Sequence, residues 1–122
     1  MDVPPQIAIS FPGTPDFLRL ARLTTADAGS RAGFDYEDID DLRIAVSELC
    51  ALISGHPSGT VTLEYHVEPG SVTVGGQASP ASLVENDLSR TIVEAVVDDV
   101  ELSVAAGRTV FRCTKRSRTP TT

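Results

Sequence analysis

Few side chains in this sequence have the type and position to do chemistry, and Glu48 is the first of them. It is the only acid in the second half of a long predicted helix, residues 36–55. An isolated carboxylate can serve as a general base when its surroundings hold it near a reacting hydroxyl. Because exposed glutamates are common on helices, Glu48 needs supporting evidence from the elements around it.

The common signatures of metal and phosphate sites are missing from the sequence. No histidine or cysteine has a neighbour at metal-ligand spacing, so we expect no metal site. The pair Gly75 and Gly76 lacks the spacing of a dinucleotide-binding loop and the lysine of a P-loop, and we interpret it as the end of a strand. Cys50 and Cys113 are predicted to be buried free thiols, as in a reducing compartment, although a disulfide between them stays open.

The helix that carries Glu48 has clear start and stop signals. Asp35 is a favourable N-cap, since its short carboxylate can accept a hydrogen bond from a free backbone N–H. Acidic residues crowd the first turns, where the helix dipole favours negative charge. Gly55 can take the left-handed conformation just past the last turn, and Pro57 cannot continue the helix.

The apolar residues of this helix fall on one main stripe, which predicts a side that faces the core. Ile44 and Leu52 lie off that stripe, and at about 100° per residue Glu48 also points away from it. Two large aliphatic residues off the stripe predict a second covered side. That side is either a further packing contact or the wall of a ligand pocket or partner surface. The stripe consists of Ile39, Leu42, Val46, Leu49, Cys50 and Ile53.

The predicted elements follow the order β-α-α-β-β-α-β-β. Short turns at residues 68–71 and 105–108 link two pairs of strands, so we expect antiparallel pairing there. The sequence therefore predicts an α+β fold: a two-layer α/β sandwich with a mixed, mostly antiparallel sheet of about five strands and three helices on one face. Thr14 is expected to cap the first helix, and the third has two candidate starts, at Ser79 and at Ser82.

Length and charge limit the remaining possibilities. A chain of 122 residues suggests one domain, which we place at residues 1–116 with a flexible tail at residues 117–122. The basic residues Lys115, Arg116 and Arg118 are interpreted as part of a polar, frayed C-terminal stretch rather than as a binding site. A net charge of −7 argues against a nucleic-acid partner, and no apolar run reaches the length of a membrane span. Without a signal peptide, the expected location is the cytoplasm.

Two stretches of the chain resemble one family. DLRIAVSELCALISGH is similar to the signature helix of the histidine-kinase-like (GHKL, Bergerat-type) ATPases, whose motif is D-x-R-x-A-V-x-E-x-C-x-N-x-x-x-H in the anti-sigma factor serine kinases of bacterial partner-switching systems. IVEAVVDDVELSVAAGRTVFRCTK resembles their last helix and two closing strands. The resemblance covers nearly the whole chain and implies the Bergerat fold.

The resemblance also implies roles for residues of the signature helix. Glu48 matches the general-base glutamate, which positions the hydroxyl or water that attacks the γ-phosphate. His56 matches the trailing histidine of the motif. Leu52 stands where the family has the asparagine that holds Mg²⁺, and a leucine side chain offers no oxygen to such a cation.

Other positions of the implied nucleotide pocket also depart from the family. Gly76 lies in a stretch without an acid, where the family's D-x-G-x-G motif binds the adenine amino group. The family's long lid is shortened, and Asp87 and Arg90 stand near its phosphate-cradling G-x-G-L motif. Asp87 would repel phosphate, and Arg90 would offset this in part. Glu48 is then a vestigial general base within a degenerate pocket.

These departures predict an anti-sigma-type regulatory protein that is a catalytically inactive pseudo-kinase and needs no cofactor. It would act by binding a sigma factor, an anti-sigma antagonist or a related kinase, with Ile44 and Leu52 filling the old nucleotide pocket. One alternative is an active serine kinase that uses ATP and Mg²⁺, with Glu48 as base and Asp41 or Asp87 as the metal ligand. Another is a sensor that binds a different small molecule in the remodelled pocket.

Self-association is a further expectation, since proteins of this type commonly form dimers. The first predicted strand, residues 6–11, would be a natural edge for pairing with a second copy.

Overall fold

The computed structural model describes residues 3–118, which form five strands and three α-helices in the predicted order. The α+β fold class is therefore confirmed. The strands are β1 (Ile7–Pro12), β2 (Thr60–Glu68), β3 (Ser71–Ser79), β4 (Asp99–Ala105) and β5 (Arg108–Arg116). The helices are α1 (Leu18–Arg31), α2 (Tyr36–Ile53) and α3 (Asp87–Val96), with a 3₁₀ turn (Pro15–Phe17) before α1.

The strands form one sheet in the order β1-β2-β3-β5-β4. Every neighbouring pair is antiparallel, so the expected mixture of directions is not found. The reason lies in the connections. Hairpins join β2 to β3 and β4 to β5. The 3₁₀ turn, α1 and α2 separate β1 from β2, α3 and β4 separate β3 from β5, and each of these routes reverses the chain direction.

One face of the sheet is buried beneath the three helices, and the other is open. Along β2 the side chains of Val61, Leu63 and Tyr65 are buried, whereas those between them are exposed or half-buried. This alternation is typical of an antiparallel sheet with one solvated face. The fully buried Tyr65 hydroxyl lies 2.7 Å from the Thr25 hydroxyl of α1, which joins the two layers. Among residues 3–118, no helix has the length and apolar character needed to cross a membrane.

The start of α2 is as predicted, but the reason for a glycine after it is different. The Asp35 carboxylate accepts a hydrogen bond from Asp38 N at 2.9 Å. Gly55 does not adopt the left-handed conformation, so that expectation is wrong. A Cβ at Gly55 would lie 2.5 Å from Ser82 Oγ. The close approach of the chain around Ser82 therefore explains why this position is a glycine.

Two predicted boundaries are wrong, and at a third, where the first helix starts after Thr14 as predicted, the expected capping hydrogen bond is missing. Gly75 and Gly76 do not end β3, which continues to Ser79 because β5 pairs with it along this length. The third helix starts at Asp87, where the Asn86 side chain accepts from Ser89 N, rather than at Ser79 or Ser82. The first helix begins as a 3₁₀ turn, and the Thr14 side chain makes no capping hydrogen bond.

The basic residues near the C-terminus pair with acids at the start of α2. Lys115 and Arg116 belong to β5, so their interpretation as tail residues is wrong. Lys115 Nζ is buried 3.3 Å from Asp41 Oδ2 and 3.7 Å from Asp38 Oδ1. Arg118 pairs with the same two carboxylates. The boundary at residue 116 stays a prediction, and residues 119–122 lie outside the described part of the chain.

Both cysteines are buried free thiols, as predicted. Cys50 lies on α2 and Cys113 on β5, and burial raises the pKa of each to about 12. Such thiols are protonated at neutral pH and react slowly.

Candidate functional site

Glu48 faces α3 and already has a hydrogen-bond partner there. Ser89 Oγ donates to Glu48 Oε1 at 2.7 Å, and only 8% of Ser89 is exposed. Ser89 sits in the first turn of α3, three residues after the Asn86 cap. The N-terminal turn of α3 therefore covers the carboxylate that the sequence singled out.

A small cavity lies between α2, α3 and β4, and two of the predicted site residues line it. Leu52 contributes an aliphatic wall from α2, and Arg90 lines it from α3. The cavity holds about 50 Å³, whereas sites for small molecules commonly span about 300–1,000 Å³. Its other lining residues are Leu49, Val93, Glu94, Val100 and Leu102.

The segment that joins β3 to α3, residues 80–86, is anchored across this end of α2. Ala81 N donates to Gly107 O at 2.8 Å, and Val84 N donates to Leu52 O at 2.8 Å. The buried Thr109 hydroxyl accepts from the backbone N–H of Ser82 and donates to its carbonyl. We call residues 80–86 the anchored segment, because it is tied to both β5 and the last turn of α2.

Arg90 is engaged by a neighbouring acid. Its guanidinium donates to both carboxylate oxygens of Glu85, at 3.0 and 3.1 Å. The hydrogen bond from Arg90 lowers the pKa of Glu85, and the same bond raises the pKa of Arg90. Asp87 is exposed in the first turn of α3, where its charge suits the helix dipole.

The remaining predicted site residues do not line the cavity. His56 lies in the loop after α2, and its Nδ1 accepts from Ser58 N at 3.2 Å, which stabilises the loop. Gly76 lies within β3, and a Cβ there would be 2.2 Å from Cε2 of Phe111. The aromatic ring of Phe111, itself buried, therefore lies directly over the Gly76 backbone.

Of the two aliphatic residues expected to fill the nucleotide pocket, one lines the cavity described above. Leu52 is 2% exposed and lines the cavity, whereas Ile44 is 43% exposed and lies outside it. The prediction for Ile44 is therefore wrong, because α2 turns this residue toward solvent. Asp41, one of the suggested metal ligands, is paired with Lys115 and Arg118. Among residues 3–118, no group of three or more His, Cys, Asp or Glu side chains is arranged to hold a metal ion.

Sequence reasoning missed Ser89, Thr109 and Phe111. Ser89 lies 41 positions from Glu48, so no local spacing connects them. Phe111 alternates inward with Cys113 along β5, but its position over Gly76 follows only from the β3–β5 register. The Asn86-x-x-Ser89 spacing is a recognisable capping signal and would have located the start of α3.

An antiparallel sheet under three helices, with a capped central helix bearing Glu48, defines the class of protein: the histidine-kinase-like ATPase fold. The crystal structure of the RsbU and RsbW domains of a Mycobacterium tuberculosis protein shares this fold, with a TM-score of 0.69 and 21% identity. The superposition covers 93% of this chain and 32% of that one.

The particular family follows from the sequence relatives. Serine-protein kinase RsbW of Listeria innocua is 30% identical over 133 aligned positions, which cover 86% of this chain and 83% of the relative. Serine-protein kinase RsbW of Halalkalibacterium halodurans is 34% identical over 67 positions, covering 52% and 41% respectively. No protein-family model matches the chain. The chain belongs to the RsbW family of serine-protein kinases, the anti-sigma factor kinases of the GHKL group, and the resemblance is confirmed.

Proposed function

We propose that this chain is a regulatory member of the RsbW family that works by binding a protein partner and transfers no phosphate. The observation that carries the proposal is the small size of the cavity at the C-terminal end of α2. There Leu52, α3 and β4 leave a cavity of about 50 Å³. A nucleotide would need several times that volume.

The side chains at this site do not fit Mg²⁺ as the family holds it. Mg²⁺ requires oxygen ligands in octahedral geometry. Leu52 has none in its side chain, and its carbonyl oxygen accepts from Val84 N. Asp41 could serve only by leaving its ion pairs with Lys115 and Arg118.

The nucleotide itself also lacks its usual contacts. The Phe111 ring lies over Gly76, in the stretch where the family binds adenine. The Glu48 carboxylate is held by Ser89, and the Arg90 guanidinium is held by Glu85. Phosphoryl transfer depends on positioning and charge neutralisation, so a site without metal ligand and phosphate contacts loses the reaction.

The partner that we propose is a protein of a sigma-factor circuit in the cytoplasm: a sigma factor, an anti-sigma antagonist or a related kinase. Support comes from two relatives, each named serine-protein kinase RsbW, because the alignment covers most of the length of each relative. The chain keeps the family fold but lacks the family's nucleotide contacts. This combination is consistent with a function that depends on a protein-binding surface rather than on the nucleotide pocket.

An active serine kinase is the second candidate, and one contact favours it. Glu48 is retained, and a serine hydroxyl donates to it at 2.7 Å, as a nucleophile does to a general base. A small-molecule sensor has less support, because the same cavity would have to hold the ligand.

Phosphate release from Mg-ATP tests the proposal against the kinase. We expect the wild-type protein and Glu48→Gln to release phosphate at the same background rate. Leu52→Asn alone should not raise that rate, because Ser89 and the anchored segment still occupy the site. Release by the wild-type protein that is lost in Glu48→Gln would overturn the proposal.

A further inference from the structure

The open face of the sheet has a glycine at its centre that no contact within the chain requires. Gly75 lies on β3, the middle strand, and faces Glu64 of β2 on one side and Arg112 of β5 on the other. Its φ is not left-handed, and a Cβ there would meet no atom within 4 Å. A glycine inside a strand costs about 0.5–1 kcal/mol relative to alanine. Such a glycine often marks a place where a ligand approaches the backbone closely.

A groove of about 880 Å³ lies over Gly75, and we call it the sheet groove. Thr73, Gly75 and Arg112 line it from the sheet, and residues 3–6 line one of its sides. Sites for small molecules commonly span about 300–1,000 Å³. The sheet groove is therefore large enough for a small ligand, unlike the cavity beside Leu52, and the bare backbone at Gly75 forms part of its floor.

The side of the groove formed by residues 3–6 is held in place by side-chain hydrogen bonds. The Gln6 amide donates to Val67 O at 2.8 Å and accepts from Val67 N at 3.0 Å. His66 Nε2 lies 2.8 Å from Val3 O. Because a carbonyl oxygen only accepts, the His66 imidazole carries a proton on Nε2. These bonds join the segment to β2 and give the groove a fixed side.

Two opposite charges flank the floor of the groove, and they do not pair with each other. Glu64 and Arg112 both line the groove and are both exposed. Within residues 3–118, neither side chain forms an ion pair or a hydrogen bond. Glu101 follows Arg112 in the same cross-strand row and also makes no ion pair with it in this part of the chain. The Arg112 guanidinium and the Glu64 carboxylate therefore have free hydrogen-bonding groups for a ligand.

The spacing of the two charges limits the size of the ligand. Neighbouring strands lie about 4.8 Å apart, so Glu64 and Arg112, two strands apart, are separated by about 10 Å. A hydrogen bond of about 2.8 Å at each end leaves about 4 Å between the two charges of a bridging ligand. An amino acid or a dipeptide carries its ammonium and carboxylate groups one to two residue lengths apart, at about 3.5 Å per residue.

We propose that the sheet groove binds a small zwitterion, an amino acid or a short peptide. Its ammonium group bonds to Glu64, its carboxylate bonds to Arg112, and the atoms between them lie on the backbone of Gly75. Charge-assisted hydrogen bonds at both ends give the ligand its orientation. Any side chain at position 75 would occupy the space of the ligand, which explains the glycine.

Amide NMR titrations with alanine and with alanyl-alanine test the proposal and compare the two ligand lengths. We expect saturable millimolar shifts at Thr73, Gly75 and Arg112 with at least one of them, and no shift at Ser89 of α3. The absence of a saturable shift with both ligands would overturn the proposal. So would shifts at Gly75 that follow the protein concentration instead of the ligand, because a second copy would then cover the groove.

Blocked peptides test the two charges separately. N-acetyl-alanyl-alanine lacks the ammonium group, alanyl-alanine amide lacks the carboxylate, and each should bind about tenfold more weakly or worse. In Glu64→Gln the acetyl group should make no further difference, and in Arg112→Gln the amide should make none. Equal binding of the blocked and unblocked peptides would show that the groove recognises a peptide backbone, which would overturn the zwitterion.

A substitution at Gly75 tests the floor of the groove. Gly75→Val fills the floor with a residue that favours strands, so it should abolish the shifts at Thr73 while the protein unfolds at no lower temperature than wild type. Arg116→Gln, at the far end of β5, is the matched control for Arg112→Gln and should leave binding unchanged. Binding that survives Gly75→Val or Arg112→Gln would contradict the proposal. The groove lies on the sheet face opposite the helices, so each of these results is independent of the absence of phosphoryl transfer.

Discussion

At its N-terminal end α2 packs against buried charges, and at its C-terminal end it packs against an aliphatic cavity and the anchored segment. Asp38 is fully buried at the first end and lies within ion-pair distance of Lys115 and Arg118. At the C-terminal end the buried Leu52 packs against the cavity, and the hydrogen bond from Ser89 to Glu48 is a polar contact.

The difference shows where this chain keeps charged groups that are costly to bury. A buried carboxylate requires paired cations, and Lys115 of β5 and Arg118 supply them at the N-terminal end. At the C-terminal end, where a nucleotide would require exposed polar groups, the polar side chains bond to one another. Side-chain contacts therefore stabilise α2 at both ends.

Loss of the buried cation should have the largest effect. Lys115→Ala removes the buried cation beside Asp38 and leaves only the exposed Arg118 to balance its charge. The free energy of unfolding should fall by about 3–5 kcal/mol. Urea unfolding measures this. The control Arg116→Ala removes an exposed pair and should cost about 1 kcal/mol or less. Equal effects of the two variants would show that the N-terminal cluster contributes little.

A substitution that crowds the Phe111 ring over β3 should have the second-largest effect on stability. Gly76→Ala places a Cβ against Phe111 and should destabilise the protein by about 1–3 kcal/mol. The neighbouring Gly75→Ala makes the same chemical change on the open face, where no atom lies within 4 Å of the new Cβ. It should be neutral or slightly stabilising. If the two variants unfold at the same urea concentration, Phe111 does not hold the position described.

Removal of the Ser89 hydroxyl should have a smaller effect at the C-terminal end. Ser89→Ala deprives the half-buried Glu48 of a hydrogen bond and should cost about 1 kcal/mol. Thr91→Ala, on the exposed side of the same helix, is the control. Thermal unfolding of both variants measures the difference, and a Ser89→Ala protein as stable as wild type would mean that α3 is held by packing alone.

The two buried thiols should make the protein less stable at alkaline pH. Burial raises the pKa of Cys50 and Cys113 to about 12, above the value of the unfolded thiols. The folded state therefore retains protons that the unfolded state releases, and stability falls as the pH rises from about 9 toward 12. Near pH 10 the loss should be about 1.5–2 kcal/mol for each thiol. Urea unfolding at several pH values checks this, and a Cys50→Ala variant should show a shallower fall.

The local parts of the fold were predictable from the sequence. The Asp35 cap, the strict alternation of β2 and the turn at Gly70, whose φ is 78°, all depend on residues close in the chain. Lys115 also gave a usable signal, because it continues the inward alternation of Phe111 and Cys113. A charged residue at an inward strand position indicates a buried partner.

The candidate site was predictable only in part, because long-range pairing builds it. Glu48, Leu52 and Arg90 were selected from the comparison with the family motif; Leu52 and Arg90 line one cavity, and Glu48 bonds to Ser89 of α3. The role of Gly76 depends on a ring from another strand, and the anchored segment depends on Thr109 and Leu52. None of these contacts leaves a periodic pattern in the sequence.

Titration calorimetry with ATP, in the presence and absence of Mg²⁺, measures directly whether this protein binds a nucleotide. The small cavity and Leu52 predict no binding heat for the wild-type protein at millimolar ATP, with or without the metal. Micromolar binding that requires Mg²⁺ would contradict the proposal that the chain transfers no phosphate, because the cavity would then have to open and another residue would have to supply the oxygen ligand.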